Sequence, residues 1–317
     1  VGNVEKAKNG ADGKVKFSEL TFDEAGTYTY TIKEVKAGTT ENGITYDSKT
    51  VTAKVTVTDD GQGKLHATVE YSSDGTANST TFTNTYNPAK VKAPVSATKS
   101  FINKNTNTPM PLKGGEFVFS LINHEGDPVE KTTNDADGNI KFEDLEFNKA
   151  DTYHYTIVEK NAGTTDKGIT YSNKTIEVTI KVVDNGNGAL EATVSYDNND
   201  STFENTYKAD NAKAGLEVMK TLSGRELKAD EFDFVLKNDA DGSELQKVKN
   251  TADGKVTFAP IEYTKAGTYN YTIVETNAGK TVNGVTYDNL EVKVTVEVTD
   301  DSEGKLHANV TYSADKE

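Results

Sequence analysis

The segment DTYHYTIVEK (151–160) alternates large apolar with polar side chains, and Tyr153, Tyr155 and Ile157 share one face. A period of two predicts a β-strand with one buried face. The next residue on that face is Glu159, so a carboxylate points into the core. The segment recurs as GTYTYTIKEV (26–35) and GTYNYTIVET (267–276), which places Glu34, Glu159 and Glu275 at spacings of 125 and 116 residues. A period this long is a whole domain rather than a solenoid unit.

At one offset beyond each copy come GITYDSKTVTAKVTVTDDGQGKLHATVEY, GITYSNKTIEVTIKVVDNGNGALEATVSY and GVTYDNLEVKVTVEVTDDSEGKLHANVTY. These read as further strands punctuated by Gly-rich turns. The expected inward faces are Val51, Ala53, Val55 and Val57; Leu65, Ala67, Val69 and Tyr71; and Phe117, Phe119 and Leu121, with their later equivalents. No helical stretch competes. The pattern predicts an all-β chain of tandem immunoglobulin-like sandwiches arranged end to end. Phe-x-Asn-Thr-Tyr closes two units (82–86 and 203–207), whereas ATKSF (97–101) and VMKTL (218–222) open two. The expected domains are therefore 1–90, entered after its first strand; 91–208, complete; and 209–317, stopping before its last strand. The joins at 87–94 and 208–215 are brief, which leaves the units limited freedom.

Composition bounds the functions available. With Gly counted in and Tyr left out, about 37% of the 317 residues are apolar, below the roughly 45–50% of globular chains, so the cores are thin. The 27 Phe and Tyr residues in regular alternation argue against disorder. A net charge of -15 repels phosphate and gives no basic footprint for nucleic acid or anionic lipid. No Cys is present, which excludes disulfides and thiolate metal sites, and no apolar run reaches the length of a membrane span.

Strand parity carries the chemistry. Lys99 shares its face with Val95, Ala97 and Phe101, and Lys220 shares its face with Leu216, Val218 and Leu222. Asn205 lies between Phe203 and Tyr207, as Asn84 lies between Phe82 and Tyr86. A complete unit thus buries one Lys, one Glu and one Asn on three strands. Burying charge costs more than apolar packing returns unless the groups have a task. One reading is a hydrogen-bonded network that fixes strand register. The sharper reading is a reaction. Desolvation lowers a lysine pKa and raises a glutamate pKa, so the pair shares one proton as neutral amine and neutral acid. An amine held against a carboxamide is a nucleophile at high effective concentration. The acid is expected to polarise the carboxamide oxygen and to protonate the departing ammonia, leaving a Lys–Asn isopeptide bond.

ATKSF and VMKTLSGREL with the following EFVFSL and EFDFVL, the YTIKE and YTIVE segments, and TFTNTY and TFENTY resemble the streptococcal-type pilin isopeptide-linkage domain. That domain is a relative of the CnaB-like sandwiches of Gram-positive surface proteins, and the resemblance covers nearly the whole chain. It implies CnaB-type domains, autocatalytic intramolecular bonds, a secreted protein on the cell surface or cell wall, and service as the shaft of a pilus or fibrillar adhesin. Carried over, Lys99 and Asn205 are the bonded pair and Glu159 is the catalyst. Glu34 and Asn84 form a half-site whose lysine is expected upstream of residue 1, and Lys220 and Glu275 form one whose asparagine is expected beyond residue 317. The implied partners are other subunits or domains of the same fibre. No cofactor, metal, nucleic acid or membrane insertion of this segment is implied, and a site that turns over once is not an enzyme in the ordinary sense.

Other signals fit plainer roles. NGADGK, NDADGN and NTADGK (from 9, 134 and 250) resemble the start of a calcium loop but lack its terminal Glu, and they read better as turns. His66 and His307 occupy one repeat position on an expected solvated face. An adhesin repeat that recognises a host protein or glycan is the rival function. It would need a non-repeating exposed apolar patch, whereas the strands of the three units are nearly interchangeable.

Overall fold

A computed structural model describes residues 4–314. The chain divides into two compact units. One comprises Val1–Lys92 with Glu146–Asp151 and Val182–Ala192; the other comprises Ala93–Leu145, Thr152–Lys181 and Thr193–Glu317. The first unit takes in the 182–192 turn because that turn packs on the hairpin and closing strand of the first repeat. The Gly188 Cα lies against the Asn42–Gly43 peptide, and Tyr86 donates to Asp184 at 2.7 Å.

In the first unit, β1 (Gly26–Lys33), β2 (Thr50–Asp59) and β3 (Leu65–Ser73) form an antiparallel sheet extended by a short strand at Thr76–Ala77. Val51, Ala53, Val55 and Val57 alternate inward along β2 and are buried, as their period requires. The neighbouring face of β3 departs from expectation. Leu65 and Tyr71 are each 37% exposed and Val69 46%, and Ala67 is exposed as well. Their face has the right parity, but among the described residues of this unit no opposing strand covers it.

The second repeat, most of which lies in the second unit, has β4 (Ser96–Asn103), β5 (Val118–Asn123), β6 (Pro128–Thr133), β7 (Asp151–Glu159), β8 (Thr175–Asp184), β9 (Leu190–Tyr196) and β10 (Thr202–Tyr207). One sheet runs β6-β5-β7-β8-β9. The other is built on β4 and β10, which pair in parallel with Thr202 opposite Thr98 and Asn205 opposite Phe101. The inner faces meet through aromatic rings: Phe119 of β5 and Phe203 of β10 lie 5.1 Å apart, centre to centre, and Phe101 and Phe117 lie 5.5 Å apart edge to face. Phe119, Leu121, Ile140, Ile157, Ile180 and Phe203 are fully buried.

The third repeat of this unit repeats the larger sheet. β11 (Asp233–Asn238), β12 (Glu244–Lys249), β13 (Gly267–Glu275), β14 (Glu291–Asp300) and β15 (Leu306–Ala314) run in the order β12-β11-β13-β14-β15. The chain is all-β and is built of tandem sandwich domains. The one helical element described is a single 3-10 turn at Asp197–Asn199. No helix among the described residues is long and apolar enough to cross a membrane.

Candidate functional site

The site of the second repeat lies between its two sheets. Alternation along β4 turns Val95, Ala97, Lys99 and Phe101 inward, and the lysine ammonium is fully enclosed. The strand is held there by an Asp-Gly turn. Lys99 donates its backbone N–H to the Gly138 carbonyl at 2.7 Å, and Gly138 has φ +83° with its Cα pressed so close that a Cβ would lie 2.4 Å from the Lys99 carbonyl oxygen. Only glycine fits that approach. The turn read from NDADGN therefore positions the lysine strand; Gly254, with φ +85°, does the same for Lys220.

Glu159 ends the inward face of β7 with its side chain fully buried. Its Oε1 stands 3.1 Å from Lys99 Nζ and accepts a hydrogen bond from Asn205 Nδ2 at 2.7 Å. Amine and carboxamide thus meet on one carboxylate: Asn205 donates to Oε1, and Lys99 Nζ, 3.1 Å from Oε1, donates to Oε2 at 3.3 Å. Phe117 and Phe119 wall the amine, their ring centres 4.5 and 5.9 Å from Nζ. This apolar enclosure has the electrostatic effect expected of it. Desolvation lowers the Lys99 pKa to about 8 against the opposing attraction of Glu159. Desolvation raises the Glu159 pKa, opposed first by the Lys99 charge and then by the hydrogen bond from Asn205.

The orientation of Asn205 differs from the sequence expectation that the acid polarises the carboxamide oxygen. Its nitrogen faces Glu159, and its oxygen accepts the backbone N–H of Ser172 at 2.7 Å. Attack by the amine would place negative charge on that oxygen, where a fixed backbone donor already sits. The acid is then next to the nitrogen that must leave, which is where a proton donor is needed. Ser172 was missed because a backbone donor leaves no mark in residue identity; the one signal was the fixed offset of Tyr-Ser or Tyr-Asp in the repeated GITY segment.

The other two sets are partial. In the first repeat, Asn84 Nδ2 donates to Glu34 Oε1 at 3.0 Å and the Asp47 N–H donates to Asn84 Oδ1 at 2.8 Å, the same polarity as in the complete site. Glu34 Oε2 is buried without a hydrogen-bond partner, and Asn84 is exposed rather than enclosed. In the third repeat, Lys220 Nζ lies 2.8 Å from Glu275 Oε1 and 4.5 Å from the centre of the Phe232 ring, the counterpart of Phe117. No cluster of His, Asp and Glu able to hold a metal ion occurs among the described residues. His66 and His307 lie on the solvated face of their strands beside Asp60 and Asp301.

Fold and site define a class of β-sandwich protein that sets a lysine, a glutamate and an asparagine together between two sheets, as in the second repeat. The family model FctA, the Spy0128-like isopeptide containing domain, matches residues 2–87, 95–208 and 216–317, and the chain belongs to this family. A search of curated proteins gives no match. Among solved structures, the chain is similar to the major pilin protein (T-13) from Streptococcus pyogenes serotype GAS131465, with 20% identity, 72% of this chain and 98% of that chain covered, and a TM-score of 0.29. It is also similar to the major pilin from Streptococcus pyogenes (14% identity, 71% and 92% covered, TM-score 0.30) and to the Bacillus anthracis TIE protein (16%, 83% and 48%, 0.20). Superpositions at these scores carry no argument, and the family assignment rests on the sequence match.

Proposed function

We propose that the chain is a stretch of the shaft of a Gram-positive surface pilus or fibrillar adhesin, secreted to the cell wall and assembled with other subunits of the same fibre. Its domains are bounded near 1–90, 91–208 and 209–317, and each complete domain is stapled by a Lys–Asn isopeptide bond. The observation that carries this reading is the buried carboxylate of Glu159 held between Lys99, which donates to Oε2 at 3.3 Å, and Asn205, which donates to Oε1 at 2.7 Å. The neutral amine of Lys99 attacks Cγ of Asn205. Charge gathers on Oδ1 against the Ser172 N–H, Glu159 passes its proton to Nδ2 and accepts one from the attacking nitrogen, and ammonia leaves. One C–N bond forms, one breaks, and Glu159 ends as it began.

The staple joins β4 to β10, the first and last strands of the domain, so tension along the chain passes through a covalent bond and bypasses the sandwich core. Force bearing, rather than turnover, is the task. The intact mass of the 1–317 polypeptide tests the reading: a mass lower than the sequence value by one ammonia supports it, and an unmodified mass refutes it.

A further inference from the structure

Asn205 is aimed from the segment that precedes β8 as well as from Glu159. Ser172 Oγ accepts the backbone N–H of Lys174 at 3.2 Å, which closes a short turn, and the Ser172 N–H donates to Asn205 Oδ1 at 2.7 Å. From that turn the Lys174 side chain reaches the start of β10. Its Nζ donates to the Thr202 carbonyl at 2.9 Å and lies 2.5 Å from Asp200 Oδ2. These contacts close a ring. The donor to the carboxamide oxygen and the anchor of the strand that carries the carboxamide sit two residues apart in one turn.

The first repeat has the same ring. The Asp47 N–H donates to Asn84 Oδ1 at 2.8 Å, Asp47 Oδ1 accepts the Lys49 N–H at 2.9 Å, and Lys49 Nζ donates to the Thr81 carbonyl at 2.7 Å. Thr81 and Thr202 each stand three residues before the asparagine. The second partner of the lysine changes, Asp200 in one repeat and Ser79 Oγ at 3.2 Å in the other, so the carbonyl is the shared contact. The Asp200 side chain is also 57% exposed, where an ion pair is worth little. Pairing with the lysine strand does not aim the carboxamide either. Among the described residues of the first repeat, the closing segment Thr85–Tyr86 pairs only with Ile44–Thr45, yet Asn84 still donates to Glu34 and accepts the Asp47 N–H. In the third repeat Leu290 stands in place of the lysine, and the turn closes without an ammonium, Asp288 Oδ1 accepting the Leu290 N–H at 2.9 Å.

We propose that Lys174 is a positioning residue for the bond between Lys99 and Asn205. By holding the Thr202 carbonyl it fixes β10 where Asn205 Oδ1 meets the Ser172 N–H and Cγ is presented to the amine. The inference rests on the isopeptide reading and adds to it the group that sets the geometry of the electrophile. Lys174 touches no reacting atom. The terminal torsion of an asparagine has broad wells, so the direction of the carboxamide comes from its partners. Its two hydrogen bonds, to Glu159 and from Ser172, both depend on where the β10 backbone lies. Reaction between held groups is steep in distance, and a displacement of about 1 Å costs about 10²-fold in rate.

The full 1–317 chain is synthesised in a cell-free system, and the bonded fraction is followed by intact mass, as loss of ammonia, in samples quenched in denaturant. Lys174→Leu installs the residue of the third repeat and is expected to slow the bond by about 10- to 10²-fold. Lys174→Arg keeps a cationic donor and should restore most of the rate, whereas Lys174→Met, of similar length without the donor, should not. Asp200→Ala should stay within about twofold of wild type. Geometry is read apart from chemistry in a Lys99→Met background, which cannot react. There Lys174→Leu should move the Ser172 amide proton upfield in proton–nitrogen NMR, as its hydrogen bond weakens, while the amides of β5 and β7 keep their positions. A wild-type chain that loses no ammonia would sink the isopeptide reading and this inference with it. With a reactive wild type, three results overturn the positioning role alone: Lys174→Leu at the wild-type rate, a slowed rate that Lys174→Arg leaves as slow, or a Ser172 amide that stays in place.

Discussion

Burial acts on Lys99 and Glu159 in opposite senses, and bond formation needs both shifts. The reactive state holds one proton between the two groups, so the rate of bond formation on refolding is expected to be bell-shaped in pH. As pH rises through about 8, the Lys99 value, the shared proton leaves, and Glu159 becomes a carboxylate that cannot protonate the leaving nitrogen. In acid, Glu159 stays neutral while Lys99 takes up a second proton and loses its nucleophilic lone pair. Ammonia release after refolding across a pH series checks this; a rate that keeps climbing from pH 8 to 10 would show that the acid plays no part. Linkage gives a second signature. Lys99 has a folded pKa below the ordinary lysine value of 10.5, so folding disfavours its charge, and an unreacted domain gains stability between about pH 8 and 10.5. The bonded domain has no such gain, because an amide does not titrate there. Glu159→Ala is expected to slow the bond by about 10²- to 10⁴-fold, the usual worth of a positioned acid-base group, leaving Lys99 and Asn205 unmodified in peptide maps. A crosslink at wild-type yield in that variant would remove Glu159 from the mechanism.

At the scale of strands, what matters is that β4 and β10 pair in parallel although some hundred residues separate them in the chain. Closing a loop of that length covalently is worth about 4.7 kcal/mol in the chain-entropy picture. Asn205→Ala should therefore speed hydrogen exchange of the β7 and β8 amides through lost global protection, and no loss of protection would mean the staple adds nothing to the folded state. These strands were legible from sequence because period-two alternation and Asp-Gly turns are local signals, and both inward lysines and Glu159 followed from parity alone. Parity gave direction without cover. Leu65, Val69 and Tyr71 have the inward parity yet stay exposed, since burial depends on an opposing strand that alternation does not reveal. The same holds for Asn84, which makes the hydrogen bonds of Asn205 in an open setting. The Ser172 donor and the glycine-on-glycine junctions were hidden for a different reason: both are backbone contacts between segments far apart in sequence.

Across the whole molecule the three repeats are alike in strands and unlike in chemistry. Residues 1–317 contain Lys, Glu and Asn together only in the second repeat, so a polypeptide with these ends should lose one ammonia and no more. The consequence for durability follows from the thin cores. With an apolar share of about 37%, a sandwich of this size has little margin beyond the few kcal/mol typical of small domains, and a staple of comparable worth decides which domain survives stress. The Leu65, Val69 and Tyr71 face of the first repeat is open to solvent, whereas Phe119, Ile180 and Phe203 of the second repeat are fully enclosed. Proteolysis samples transiently opened chain, and a tie between first and last strands suppresses the opening that releases them. Limited digestion of the intact polypeptide at elevated temperature should therefore converge on a fragment near 91–208, with cuts in the joins at 87–94 and 208–215, and mass spectrometry of that fragment should show the missing ammonia. With Lys99→Ala the fragment should vanish at the rate of its neighbours. Survival of the first and third repeats while 91–208 is degraded would show that resistance comes from packing and owes nothing to the covalent tie.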